Sequence, residues 1–324
     1  MTMTRHGIAS GRVWRTGVLL VLLTMLLSLA FSALARAEDP VQAPGTLASD
    51  ASLAGGAPMA AAGVFVPTDL TIYTATELFE FAVDVNGGAD YSGRVVRLGG
   101  DIDLRSATWT PIGYRSGSID HRFRGTFDGD GHTVSGLLVS GGNYVGLFGQ
   151  ANYATIENLT VAGSVTAGSS SGGIVGYAEN TDIINCVNNA TVSGGGNYVG
   201  GVVGRLRSFG AFGVQGCVNN AAIHSIGGWI GGVAGYATRV VACVNHGAVS
   251  GGTNSQTSYP MGGVMGGADS TQSTYVIDRC YNTGAVTCDS LLAGGITGTV
   301  RSATLTNCYN RGTVTSANTA GSIG

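Results

Sequence analysis

The sequence predicts an all-β fold, a β-solenoid of stacked coils, and three observations predict it. A Gly-Gly-apolar-x-Gly phrase recurs as GGIVG at 172, GGVVG at 200, GGVAG at 231, GGVMG at 262 and GGITG at 294, spaced 28, 31, 31 and 32 residues. VGLFG at 145 is a variant. A Cys-x-Asn phrase follows each of the five: Cys186 with Asn188, Cys217 with Asn219, Cys243 with Asn245, Cys280 with Asn282, Cys308 with Asn310. Aligned on the cysteines, several columns are never polar: Ile183, Val214, Val240, Ile277 and Leu305 three residues before, and Val192, Ile223, Val249, Val286 and Val314 six residues after. A unit of this length, with short Val, Ile, Thr and Gly runs, cannot bury its own apolar side; stacked copies can.

From the N-terminus, Arg5, Arg12 and Arg15 precede an apolar run from Val18 to Ala35, then Ala35-Arg36-Ala37. Residues 1–37 therefore read as a secretory signal peptide. The run is long enough that an uncleaved anchor is the alternative; the small residues favour cleavage. Residues 38–67, rich in Ala, Gly, Pro and Ser with no apolar period, read as a flexible linker. All 16 basic residues are Arg. Removing the leader takes four of them and no acid, leaving 12 basic against 19 acidic residues, a net charge of −7. An acidic, Lys-free chain argues against nucleic acid and, after signal cleavage, against membrane as partners. It also excludes Lys-dependent isopeptide crosslinks.

Residues 68–133 read as an N-terminal cap with the first strands. TATELFEFAVDVNGG predicts a helix, with Thr74 and Glu77 as a capping box, Leu78, Ala82 and Val85 on one face, and Asn86-Gly87 as the stop. Such a helix can cover the open end of a solenoid. RVVRLGGDIDL and WTPIGY supply the first strands. Residues 134–324 are the repeats. The chain stops at TAGSIG, where another Gly-Gly phrase is due, which reads as a repeat cut mid-coil.

The Cys column reads as an interior ladder, because the earlier coil holds Leu159 there, beside Leu147, Ile156 and Val165 in the other apolar columns. Free Cys behaves as a small buried hydrophobe. Disulfides are disfavoured: in-register neighbours stand about 4.8 Å apart, whereas a bridge wants Cβ atoms about 3.8 Å apart. The Asn column reads as a turn ladder bonded locally and from coil to coil. Cys288 lies outside the column, where other coils have Gly194, Gly251 or Ser316, and is the candidate for an exposed or reactive thiol, with a redox role disfavoured.

ATWTPIG, FRGTFDGDGHTVSGL, NYVGLFGQ with ATIENLTV, and GGIVGY with IINCVNNATVSG resemble, in this order, the bacterial surface proteins that carry the GLUG motif. These include adhesin-like proteins and the non-catalytic N-terminal regions of IgA-cleaving metallopeptidases. The resemblance spans about residues 70–324. It implies a right-handed parallel β-helix on a cell surface and supplies no catalytic residue.

Catalytic patterns are sparse. None of the five His residues, 6, 121, 132, 224 and 246, is followed by Glu, so the zinc-peptidase pattern His-Glu-x-x-His is absent. Gly168-Ser170-Gly172 matches a nucleophile elbow but sits in a polar turn with no helix after it. Glycoside cleavage needs two carboxyl groups about 5 to 9.5 Å apart. The acids after residue 141 are Glu157, Glu179, Asp182, Asp269, Asp278 and Asp289; Glu157 and Asp278 share a column four coils apart, and Glu179 and Asp182 share a loop. The densest polar cluster holds Asp120, His121, Arg122, Arg124, Asp128, Asp130 and His132. Asp128 and Asp130 could hold Ca²⁺; a tight Gly turn satisfied by the Asp side chains is the favoured reading. No cofactor is predicted.

These readings predict a secreted or cell-surface β-helix with an adhesin-like or stalk role, non-catalytic in this segment. Host or matrix glycans or proteins are its expected partners. Tyr177, Tyr198, Trp229 and Tyr236, with loops such as 252–260, are the candidate ligand-facing groups. The alternatives are a polysaccharide-active β-helix enzyme and the stalk of a larger surface protease.

Overall fold

The computed structural model describes residues 69–252, 260–268, 275–289 and 292–316, and the strand Ser322–Ile323. The predicted signal peptide and linker lie outside the described residues. So do Asp269 and most of loop 252–260. The described chain is a parallel β-solenoid of about eight turns with one short helix near its N-terminus.

Each coil contributes a strand to successive sheets. One full coil runs through Val203–Arg207, Val214–Gln215, Val218–Asn219 with Ile223–Ser225, and Ile230–Gly231. Stacked, these give parallel sheets of six, nine, twelve and five strands. A two-stranded antiparallel hairpin, Tyr114–Ser116 with Ile119–His121, stands outside the stack.

Register shows why the apolar columns repeat. In the nine-stranded sheet Val96 pairs with Phe127, Phe127 with Ile156, and Ile156 with Ile183; Val214, Val240 and Ile277 continue the row. All seven are fully buried. One column of β-branched or aromatic side chains thus fills one wall of the tube along its length. Ile174, Val202, Val233 and Val264, from the Gly phrases, fill another.

The helix, α1, spans Ala75–Asn86, and both halves of its capping box form between Thr74 and Glu77. It stops at Gly87, but Gly87 is right-handed (φ −78°); the left-handed residue is Gly88 (φ +101°). Leu78, Phe81, Ala82 and Val85 are its buried face. Phe81 meets the rings of Phe123 and Phe127, each at 5.9 Å, so the helix packs on interior aromatics of the first coils. The sequence places the helix ahead of the solenoid; in the structure a strand, Asp69–Ile72, precedes it and pairs in parallel with Val95–Leu98. The helix is therefore an insertion in the first coil.

The cysteine column is interior. Cys186, Cys217, Cys243 and Cys280 are fully buried, Cys308 is half-buried, and all are free thiols. Leu159 occupies the equivalent site: its carbonyl accepts from Val187 N as that of Cys186 accepts from Val218 N. The thiols do more than fill space. The backbone N–H of Cys186 donates to the Cys217 sulfur at 3.4 Å, and the Cys243–Cys280 and Cys280–Cys308 steps repeat it. Each sulfur faces carbonyls as well, such as Ile184 O at 3.3 Å from Cys186 Sγ. Burial pushes the Cys217 and Cys308 thiols up. The Cys243 thiol and burial do the same to Cys280.

Two expectations are corrected. Cys288 is fully buried, not exposed: it lies in register between Gly251 and Ser316, in a column that faces inward. The unusual turn backbone does not belong to the Cys-x-Asn asparagines, which lie within strands. It belongs to the residue before each column Cys or Leu: Asn158, Asn185, Gly216, Ala242, Arg279 and Asn307, all with φ between 52° and 64°. Asn and Gly adopt this left-handed geometry at least cost.

The Asn ladder is a continuous buried hydrogen-bond chain. Asn188 Nδ2 donates to Asn219 Oδ1, Asn219 to Asn245 and Asn245 to Asn282, each at 2.7 Å, and Asn282 to Asn310 at 2.8 Å. The second N–H of each amide donates at 2.8 Å to the carbonyl two residues on, as from Asn245 to Gly247. Asn188, Asn219, Asn245 and Asn282 are fully buried.

Candidate functional site: an arginine and tyrosine face

The six-stranded sheet carries a row of large polar and aromatic side chains. Its register aligns Gln150 with Tyr177, Tyr177 with Arg205, and Arg205 with Tyr236, one per coil. Phe123 bridges Ala151, so Arg122 precedes Gln150 in the row. A neighbouring turn column holds Tyr144, Ser170, Tyr198 and Trp229, all with positive φ (59°, 55°, 64° and 53°). Left-handed turns throw these side chains back beside the strand row.

The aromatic candidates separate. Tyr177, Tyr198 and Trp229 are half-buried. Tyr236 is only 8% exposed and its hydroxyl bonds that of buried Tyr275 at 2.6 Å; it is a packing residue, not a ligand-facing one. Tyr144, which the sequence did not single out, is 44% exposed and meets Tyr177 edge-on at 5.7 Å. The Tyr198 ring lies 5.2 Å from Trp229.

Arginines complete the face. The Arg205 guanidinium lies over Tyr198, 4.4 Å from the ring centre, and 5.6 Å from that of Tyr236. Arg122, 6% exposed, donates through Nε and Nη2 to Asp120 at 2.8 and 2.7 Å, and through Nη1 to Glu179 at 2.6 Å. Arg124 reaches Asp120 as well, at 2.8 Å. The Arg122 guanidinium holds the Asp120 carboxyl well below the usual carboxylate range. A depressed carboxylate contributes stability above its unfolded pKa of about 4, lost only as pH falls through the folded value. This network therefore outlasts the acid range in which ordinary carboxylates protonate.

Arg115, Gly117, Arg122, Tyr144, Gln150, Tyr177 and Arg205 line a cleft of about 320 Å³. A second cleft, of about 290 Å³, shares Tyr144 and Gln150 with it and continues past Asn86 and Pro111.

The polar cluster at 120–132 is divided by the fold. Asp120, Arg122 and Arg124 join Glu179 in one ion-pair network, of which Arg122 lines the cleft. His121 Nδ1 bonds the Asn86 carbonyl at 2.7 Å, at the end of α1. Asp128 Oδ1 accepts from Asp130 N and from Asn158 Nδ2, each at 3.0 Å, closing a tight turn in which Asp130 is left-handed (φ 48°). Among the described residues no group of three His, Cys, Asp or Glu could hold a metal. Ser170 of the Gly-x-Ser-x-Gly match is 2% exposed in its turn, with no helix following.

Acid pairing differs from expectation. Asp128 and Glu157 stand in register on adjacent coils, a pair the sequence reading missed by considering acids only after residue 141. Burial and the Asp128 charge push Glu157 up. Asp128 is also near Arg97 (3.5 Å), and neither acid lines the clefts described. Glu179 and Asp182 are committed to separate partners, Arg122 and the Gly213 N–H. Asp278 accepts from Thr306, Asn307 and Arg279.

Comparison with known proteins gives three findings. The GLUG motif model matches residues 167–193, the stretch from the end of one coil through the Cys186–Asn188 strand. Halomucin of Haloquadratum walsbyi is 40% identical over 88 residues, 26% of this chain and 1% of halomucin, so the chain spans about a hundredth of that relative. A crystal structure from Bacteroides ovatus, assigned by name to the immunoglobulin A1 proteases, matches with 21% identity and a TM-score of 0.48 over 76% of each chain. Among the described residues no helix is long and apolar enough to cross a membrane.

Proposed function

We propose that this GLUG-motif β-helix is a secreted or cell-surface protein with an adhesin-like role, non-catalytic in this segment, that binds through the arginine and tyrosine face. The observation that carries the reading is that face. Here Arg122, Tyr177 and Arg205 line up beside Tyr144 around a cleft, with Tyr198 stacked on Arg205. Half-buried rings with polar tips are suited to ligand contact. A rigid stack of strands fixes their spacing before any ligand arrives. Matrix or host glycans and proteins are the partners this chemistry fits.

The test is an array of glycans and matrix proteins probed with the full chain. Saturable binding is expected, lost in a Tyr144→Ala/Tyr177→Ala variant that keeps the wild-type unfolding midpoint. Binding that is absent, or unchanged in the variant, contradicts the reading and leaves a stalk. The Asp128–Glu157 pair favours one competitor, a polysaccharide-cleaving enzyme. Release of reducing ends that Glu157→Gln abolishes would establish that instead.

A further inference from the structure

We infer that the cleft beside the hairpin takes an anionic saccharide, one whose sugar ring carries a carboxylate or sulfate. This deepens the binding reading above and rests on it. The chain is acidic overall, net −3. Yet three arginines, Arg115, Arg122 and Arg205, line this one cleft. Among the described residues, Asp120 and Glu179 are the only carboxylates paired there, and both are directed at Arg122, with Arg124 sharing Asp120. Two of the three cleft arginines thus remain without a carboxylate partner among the described residues. Among the described residues, neither Arg115 nor Arg205 has a carboxylate within salt-bridge distance.

Arg205 is the sharper observation. Its Nε is buried without a hydrogen-bond partner. A buried donor is normally satisfied, and an exception calls for an explanation. Its place over the Tyr198 ring restrains the guanidinium, whose planar fork is the group suited to an oxyanion. A fixed, weakly hydrated guanidinium on an aromatic face loses little on binding an anion.

The rings supply the other half of the specificity. Exposed Tyr144 stands edge-on to Tyr177 at the junction of the two clefts, offering an apolar face to the C–H side of a pyranose. The cleft's roughly 320 Å³ is at the small end of ligand sites, room for about one sugar unit. The adjoining cleft past Tyr144 leaves space for the next unit of a chain. A simple anion would use the arginines without the rings, and a neutral sugar the rings without the arginines.

Titration calorimetry on the full chain tests this, with oligogalacturonate, a sulfated heparin-type oligosaccharide, a neutral cello-oligosaccharide and poly-glutamate as probes. One or both anionic saccharides are expected to bind at least tenfold more tightly than the neutral one and than poly-glutamate, weakening with salt; which of the two wins identifies the oxyanion. Arg205→Gln and, separately, exposed Arg115→Gln are each expected to lower that affinity about tenfold with an unchanged unfolding midpoint. Equal binding of the neutral sugar or of poly-glutamate, or wild-type affinity in both variants, overturns the inference. If the array is positive while the anionic sugars fail, the adhesin reading stands and this one falls. If both are silent, both fall.

Discussion

Asn245→Ala is expected to be among the most damaging single substitutions in the molecule. Asn245 is fully buried and sits mid-ladder. Its loss strands the Asn219 Nδ2–H, removes a donor from Asn282 Oδ1, and leaves the Gly247 carbonyl unbonded. Asn282 Oδ1 keeps the Gly284 N–H, so two buried groups are left unsatisfied at about 1–3 kcal/mol each, roughly 2–6 kcal/mol in all. The same change at Asn310, exposed in the last rung with a cysteine column, is expected to cost about 1 kcal/mol, because water replaces the lost partners. Denaturant unfolding of the two variants measures the contrast. Equal losses would mean that the ladder's burial contributes nothing. A solenoid's stability is nearly a sum of coil and neighbour terms, so hydrogen exchange should place the Asn245→Ala damage in the flanking coils first.

Gly232→Ala is expected to cost about 3 kcal/mol or more, the upper range for overpacking. A Cβ there would strike the Asn245 amide from one side and the Gly263 carbonyl from the other, and neither can retreat. Gly173, Gly201, Gly263 and Gly295 face Asn188, Asn219, Asn282 and Asn310 in the same way. The control is Gly195→Ala, whose Cβ would meet nothing nearer than 3.7 Å and whose cost should stay within about 0.5 kcal/mol. Gly232→Ala and Asn245→Ala share a contact, so the double variant should lose less than the sum of the two. Strict additivity would show that the glycine is conserved from coil to coil for some other reason than room for the amide.

That contact explains why the Gly-Gly and Cys-x-Asn phrases travel together, and it was not legible in the sequence. Gly232 and Asn245 approach across the tube, and one-dimensional spacing carries no information about the angles at the corners. The lateral columns were legible, because parallel coils in register copy a residue to the same place each turn. Val214 and Val240 could be matched without knowing the sheet they would join. The burial of Cys288 is consistent with the small size of its counterparts Gly194, Gly251 and Ser316, which fits an inward-facing position near a turn as well as an exposed one.

Much of the candidate site was within reach. Counting five residues on from the first Gly of each phrase gives Tyr177, Arg205 and Tyr236, so Arg205 declares itself once that column is written out. The burial of Tyr236 does not, since it depends on Tyr275 approaching from a neighbouring coil. Arg115 was beyond reach as well. It stands on the antiparallel hairpin, which has no counterpart in the other coils and so no column to belong to. Asp128 and Glu157 lie 29 residues apart, one repeat length, and would have been paired had the columns been extended upstream of residue 141.

The central claim is that the column thiols are reduced, buried and stacked inside the tube. Thiol labelling of the full chain without reductant, read by mass, tests it most directly. Cys308, half-buried, should react first in the native protein. Cys186, Cys217, Cys243, Cys280 and Cys288 should stay unlabelled until denaturant unfolds the chain, whereupon all six should label. Rapid native labelling of Cys217 or Cys243, or fewer than six reactive thiols after unfolding, would contradict the account.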